Sequence, residues 1–144
     1  MGKKFVMTML ALGAVVVAIG CGGDSGDDGA AGEPVDEVIE VAARDIRFVP
    51  DEITIPAGKT IRLVLVNEDE GTAHDLEAEG MTVRRLEGGG HPGEHGGGDM
   101  LAVHSEEGER SAVVFVAETP GTYEIFCTVP GHRDAGMVGR IIVV

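Results

Sequence analysis

The last 18 residues of the chain, CTVPGHRDAGMVGRIIVV, carry the side chains best suited to chemistry. Cys127, His132 and Met137 follow one another at intervals of five residues, on a segment between two apolar stretches. Thiolate and thioether are soft ligands that suit copper, and imidazole suits copper as well. This combination of donors on one loop predicts a copper site.

The loop supplies three donors, and a fourth must come from elsewhere in the chain. A Cys and two His in a trigonal plane, with a weak axial Met, form the blue-copper type of electron-transfer site. His74, in the segment NEDEGTAHDL, is well placed on a distant strand. We therefore predict that His74 completes the set.

The other three histidines lie in sequences that are less specific for a metal site. His91 and His95 lie in LEGGGHPGEHGGGD, residues 86–99, where the glycines predict a long loop rather than a strand. The pair either binds a second metal or is incidental to a polar loop. His104 ends a predicted strand, and we expect it to be structural.

The N-terminus predicts export. Lys3 and Lys4 precede an apolar stretch over residues 5–19, which is shorter than the roughly 20 residues of a membrane span. Small residues before Cys21 resemble the lipobox of bacterial lipoproteins, which implies a signal peptide over residues 1–20 and a lipid anchor on Cys21. The protein would then sit on the extracytoplasmic face of a membrane, in the periplasm or at the cell surface. The alternatives are an uncleaved anchor helix or simple secretion.

Residues 21–36 are rich in Gly and Asp, have little to bury and predict a flexible tether. Residues 37–144 have the length of one domain. Because Cys21 is assigned to the lipid anchor and Cys127 to the metal, we predict no disulfide.

The chain is strongly acidic, with a formal net charge of −14. Loss of Lys3 and Lys4 with the signal peptide leaves 9 of the 11 basic residues against 25 acidic ones, a net charge of −16. This charge argues against nucleic-acid binding and disfavours docking onto anionic lipid. It permits a basic protein partner. The alternative is that the charge serves only solubility or life in high salt.

Short apolar segments separated by Gly and Pro turns indicate an all-β fold. We predict a Greek-key β-sandwich of seven to eight strands. The predicted strand segments are 38–41, then 46–49 and 53–55, which Pro50-Asp51 splits, and then 60–66, 74–76, 101–104, 111–117, 122–127 and 138–144. Alternation in the 122–127 segment places Cys127 on its inward face.

Taken together, these residues resemble the cupredoxins, the type 1 copper proteins that include plastocyanin, azurin, auracyanin and sulfocyanin. The likeness lies in FVPDEITIPAGKTIRLVLVN, NEDEGTAHDL and above all CTVPGHRDAGMVGRIIV, and covers residues 37–144. The resemblance implies one copper ion held by His74, Cys127, His132 and Met137. It also implies that the ring edge of His132 is the electron port, within an apolar patch of Val129, Pro130, Gly131 and Ala135.

One position departs from the family. Many cupredoxins have Asn after the first His, where this chain has Asp75. An ionised Asp accepts hydrogen bonds but does not donate them. We expect its charge to favour oxidised copper, unless Asp75 faces solvent.

The resemblance implies a non-enzymatic, monomeric carrier of single electrons between membrane redox proteins such as cytochromes, oxidases or reaction centres, with no small-molecule substrate and no nucleic acid. The alternative is an extracytoplasmic copper chaperone or storage protein. An enzyme of the nitrite-reductase type needs a second copper and a second domain, and a binuclear copper centre needs two Cys in the ligand loop.

Overall fold

The computed structural model describes residues 34–89 and 99–144, so Cys21, His91 and His95 lie outside it. The described residues form ten strands. They are β1 (Glu37–Ala43), β2 (Phe48–Val49), β3 (Glu52–Ile55), β4 (Thr60–Asn67), β5 (His74–Thr82), β6 (Arg84–Gly88), β7 (Met100–Ser105), β8 (Arg110–Val116), β9 (Gly121–Phe126) and β10 (Val138–Val143). Within these two ranges, no helix is long and apolar enough to cross a membrane.

The strands form two five-stranded sheets, in the orders β2-β1-β4-β8-β6 and β3-β10-β9-β5-β7. From β3 to β9, each strand lies in the sheet opposite to that of the strand before it. The predicted all-β sandwich is therefore confirmed, although the described residues hold ten short strands rather than seven or eight.

Alternating side chains of both sheets fill the core. In β4 the residues Ile61, Leu63 and Leu65 are at most 1% exposed, whereas the residues between them are partly exposed. Phe115 of one sheet and Ile125 of the other are fully buried. Burial of such side chains contributes about 1.5–3 kcal/mol each, so this core holds the two sheets in fixed positions.

The order of strands in the second sheet assembles one end of the molecule. β10, β9 and β5 are neighbours, and β9 runs antiparallel to both of the others. The end of β9 therefore lies beside the beginnings of β10 and β5. Phe126, the last residue of β9, is opposite Val138 on one side and Glu77 on the other.

The predicted strand over residues 46–49 is only partly correct. β2 contains Phe48–Val49 alone, because residues 44–47 form a tight hairpin loop. Arg44 and Arg47 exchange backbone hydrogen bonds of 3.0 and 3.1 Å, and Asp45 and Ile46 both have a φ of 53°. Two positive φ values are typical of a type I′ turn. A β-branched residue such as Ile46 is uncommon there, and the strain is about 1–3 kcal/mol.

The prediction that residues 86–99 cannot form a strand is wrong at its beginning. β6 extends to Gly88 and pairs with β8, with an irregularity between Arg85 and Glu87. A Cβ atom on Gly88 would lie 2.3 Å from the carbonyl oxygen of Ala112. The absence of a side chain thus permits the close backbone approach that pairs this segment.

Candidate metal centre

The donors predicted from the sequence meet at the strand ends described above. His74 is the first residue of β5, Cys127 follows the last residue of β9, and Met137 directly precedes β10. His132 lies in the turns that connect Cys127 to Met137. Neighbouring strands and one short connection therefore bring residues 53 positions apart to one end of the sandwich.

The geometry suits a single ion. The donor atoms of His74, Cys127 and His132 all lie within 4.8 Å of one another. Cys127 Sγ is 3.9 Å from Nδ1 of His74 and 3.5 Å from Nδ1 of His132. Metal bonds of about 2.0–2.3 Å, as in zinc sites with N and S ligands, place donors about 3.5–3.7 Å apart. Both Nδ1 atoms therefore stand where donors to a shared ion belong.

Backbone hydrogen bonds fix the connection between the donors. The Met137 N–H donates to the His132 carbonyl at 2.9 Å, and the Cys127 N–H donates to the Met137 carbonyl at 3.1 Å. The His132 N–H donates to the Val129 carbonyl at 3.1 Å. Because each bond joins two donors or closes a turn between them, the loop has little freedom to separate them.

The donors differ in exposure. His74 and Met137 are 0% exposed and Cys127 is 1% exposed, whereas His132 is partly exposed. Burial raises the pKa of the Cys127 thiol, and the Asp75 carboxylate raises it further against the effect of two backbone N–H groups. Burial and His74 lower the pKa of His132. The free protein at neutral pH thus holds a thiol and a neutral imidazole, and metal binding must release the thiol proton.

The Nε2 atom of His74 has a carboxylate partner that sequence reasoning missed. It lies 2.9 Å from Oδ2 of Asp69, on the loop just before β5. The Asp69 N–H donates to Oδ1 of Asn67, whose buried amide donates to the carbonyls of Thr72 and Ser105. Burial acts to raise the pKa of Asp69, but hydrogen bonds from Ile46, Asp45 and His74 outweigh burial and lower it.

Asp75 joins the two segments that carry the donors. Its side chain is buried, at 7% exposure, rather than facing solvent. Its N–H donates to Cys127 Sγ at 3.4 Å, and its carboxylate accepts a hydrogen bond from the Thr128 hydroxyl. The other carboxylate oxygen lies 2.5 Å from Nδ1 of His104. Asp75 thus links the strand of His74 to the segment after Cys127, and His104 contacts Asp75 rather than the group of donors.

The molecular surface near His132 combines small apolar residues with charges. Pro130, Gly131 and Ala135 are exposed and Val129 is partly buried. Arg133 stacks on the Phe126 ring at 4.0 Å and forms ion pairs with Glu79 and Glu124. The predicted apolar patch is therefore small and has charged neighbours.

Comparison with known proteins identifies the family of this site. Residues 35–144 match the profile of the copper binding proteins of the plastocyanin/azurin family. A copper-resistant cuproprotein, CopI of Rubrivivax gelatinosus, is 33% identical over 110 residues. That match covers 72% of this chain and 63% of CopI.

Solved structures with the same fold include two auracyanins. Auracyanin B is 26% identical, with a TM-score of 0.61 over 78% of this chain and 91% of its own. Auracyanin of Roseiflexus castenholzii, at 22% identity and a TM-score of 0.59, covers 77% of this chain and 99% of its own, and supports the fold alone. The family profile, together with the donors brought together here, confirms copper as the metal predicted from the sequence.

Proposed function

The chain belongs to the copper binding proteins of the plastocyanin/azurin family, and we propose that it is a type 1 copper protein that carries single electrons. His74, Cys127 and His132 would hold the metal, with Met137 as the axial ligand. Copper would supply the one-electron couple between Cu(I) and Cu(II). The chain would act as a carrier and not as an enzyme.

The carrier proposal rests mainly on one observation, the unequal burial of the donors. Three donors are at most 1% exposed, and only His132 reaches the surface. Among the donors, all of which lie within residues 34–89 and 99–144, His132 alone offers a partly exposed side chain, and electrons would pass through its ring. Little reorganisation would accompany the redox change, because backbone and side-chain hydrogen bonds hold the donor segments.

The proposed partners are redox proteins such as cytochromes, oxidases or reaction centres. The net charge of −14 would steer a basic partner toward the molecule. Small residues beside His132 would allow close approach, while Glu79, Glu124 and Arg133 at the rim would favour one orientation. We further propose a lipid anchor on Cys21 and an extracytoplasmic location, which mass spectrometry of the N-terminal peptide would test.

The test is a visible and electron paramagnetic resonance spectrum of the purified full chain with Cu(II), beside Cys127→Ala. The proposal predicts intense thiolate-to-copper charge transfer and a narrow hyperfine splitting, both lost in the variant. A pale spectrum that is the same in both proteins would contradict it. Reduced protein should then transfer its electron rapidly to a basic cytochrome c, and addition of salt should slow the reaction.

The second candidate function is copper handling, and the likeness to the copper-resistant cuproprotein CopI supports it. The chain spans 63% of the length of that relative. A carrier retains copper through repeated redox cycles, whereas a chaperone gives it up. Competition with a Cu(I) chelator separates the two functions, since rapid loss of copper with slow cytochrome reduction would favour handling.

A further inference from the structure

The hairpin loop at residues 44–47 lies beside the loop that precedes His74. The N–H groups of Asp45 and Ile46 donate to the Asp69 carboxylate at 2.7 and 3.1 Å. Both residues hold the left-handed backbone conformation, which is costly for Ile46. Strain of this kind persists where the surrounding structure requires it and is common at functional sites. Here the strained backbone aims two donors at one side chain.

The same carboxylate also receives the His74 ring. Ile46 N and His74 Nε2 approach Oδ2, while Asp45 N approaches Oδ1. Three nitrogen atoms thus converge on one side chain that is only 17% exposed. An ionised Asp is acceptor-only and accommodates all three as N–H donors. An Asn in its place would turn an NH₂ group toward at least one of them.

We propose that Asp69 is the positioning residue for His74, the buried histidine ligand, and that the hairpin loop at residues 44–47 holds Asp69 in place. The carboxylate requires a hydrogen on Nε2 of His74. In the neutral ring the lone pair is then left on Nδ1, the atom that lies 3.9 Å from Cys127 Sγ. The inference rests on the proposed ligand role of His74, but the state of the ring is fixed before any metal binds.

The position of Asp69 also affects the relative stability of Cu(II) and Cu(I) at the proposed site. Its negative charge is in direct contact with the His74 ring and makes that ligand more basic. Both effects stabilise Cu(II) more than Cu(I). His132 is held differently, since among residues 34–89 and 99–144 the contacts of its ring are with Cys127 and His74. Within these residues, His74 is therefore anchored by a carboxylate, whereas the ring of His132 is not.

The first test needs neither a variant nor copper. Long-range ¹H–¹⁵N correlation spectra of the apo full chain report which nitrogen of His74 carries the hydrogen. We expect the neutral ring to carry its hydrogen on Nε2, with slow solvent exchange of that hydrogen. A ring that holds its hydrogen on Nδ1, or that samples both forms, would overturn the proposal.

The second test compares Asp69→Asn with Glu70→Gln. Both remove one negative charge from adjacent residues, but Glu70 is exposed and outside the hydrogen-bonded cluster. Loss of an outer partner of a ligating His typically costs 10–100-fold in metal affinity. We expect a loss of that size for Cu(II) in Asp69→Asn and a smaller loss for Cu(I). Each tenfold difference between the two raises the reduction potential by about 59 mV.

The outcomes separate this inference from the proposed function. If the wild-type protein gives no type 1 spectrum, the ligand assignment fails, and the apo spectra still report on Asp69. If the spectrum is present but Asp69→Asn and Glu70→Gln have the same potential and the same His74 tautomer, Asp69 only supports the hairpin loop and the inference is wrong. A fall in melting temperature alone would also point to that structural role.

Discussion

Replacement of Gly139 by Ala should destabilise the strand that follows the axial ligand. Gly139 is the second residue of β10, two positions after Met137. An added Cβ would lie 2.4 Å from the carbonyl oxygen of Asp51 and 3.1 Å from Cγ1 of Ile125. The Asp51 carbonyl also accepts the Arg140 N–H at 2.8 Å. Because the nearest atom belongs to the backbone, rotation of a side chain cannot relieve the clash.

The size of the effect follows from two opposing terms. Overpacking of a well-packed region typically costs 1–3 kcal/mol, and contact with backbone argues for the upper end, about 3 kcal/mol. Gly-to-Ala replacement also restricts the unfolded chain, which returns about 0.4–1 kcal/mol. The net loss is about 2 kcal/mol. With an unfolding entropy of about 2.1 cal/mol/K per residue over roughly 110 residues, the melting temperature should fall by about 9 °C.

Thermal unfolding of the copper-free protein, followed by circular dichroism, measures this difference. Gly121→Ala is the matched control, since the nearest atoms to its Cβ would be those at the far end of the Tyr123 side chain, at 3.2 Å. That side chain can move, so the control should stay within about 1 kcal/mol of the wild type. Equal melting temperatures for the two variants would refute the argument from the Asp51 carbonyl.

Two further predictions concern the Asp75 network. Asp75→Asn can keep contacts to both Thr128 and His104 while losing the negative charge. We therefore expect the variant to have a higher reduction potential than the wild type in voltammetry from pH 5 to 8. An unchanged potential would contradict this expectation. Burial lowers the pKa of His104, but hydrogen bonds to Asp75 and Glu106 outweigh burial and raise it. Protonated His104 therefore stabilises the fold below about pH 6.5, and this contribution is lost as the pH rises through the raised pKa. The melting temperature of copper-free His104→Gln should fall short of wild type by more at pH 5.5 than at pH 8.5, and an equal deficit would count against the pairing.

The donor loop was predictable because its information is local. Cys127, His132 and Met137 lie on one connection, so their spacing alone brings them near one another. The strands around them follow from alternation of apolar residues, as in β4. His74 required the further assumption that its strand is a neighbour of β9, and the observed pairing of β5 with β9 provides that arrangement.

The residues that hold the donors were not predictable in the same way. Asp69 is five positions from His74, but its role depends on the hairpin loop 23 and 24 positions earlier. The sequence of that loop favours a strand, because Ile46 has a high β propensity. Likewise, the buried position of Asp75 depends on Thr128, 53 positions away. Contacts between distant segments decide these roles, and no local pattern encodes them.

The two carboxylates beside His74 act on different parts of the site. Asp69 contacts the ring of the buried ligand, whereas Asp75 joins the strand of that ligand to the segment after Cys127. Both side chains are largely buried, and among the four donors only His132 is partly exposed. Their negative charge would favour Cu(II) without covering the exposed ring. The chain can therefore adjust the stability of the oxidised site independently of the surface through which electrons would pass.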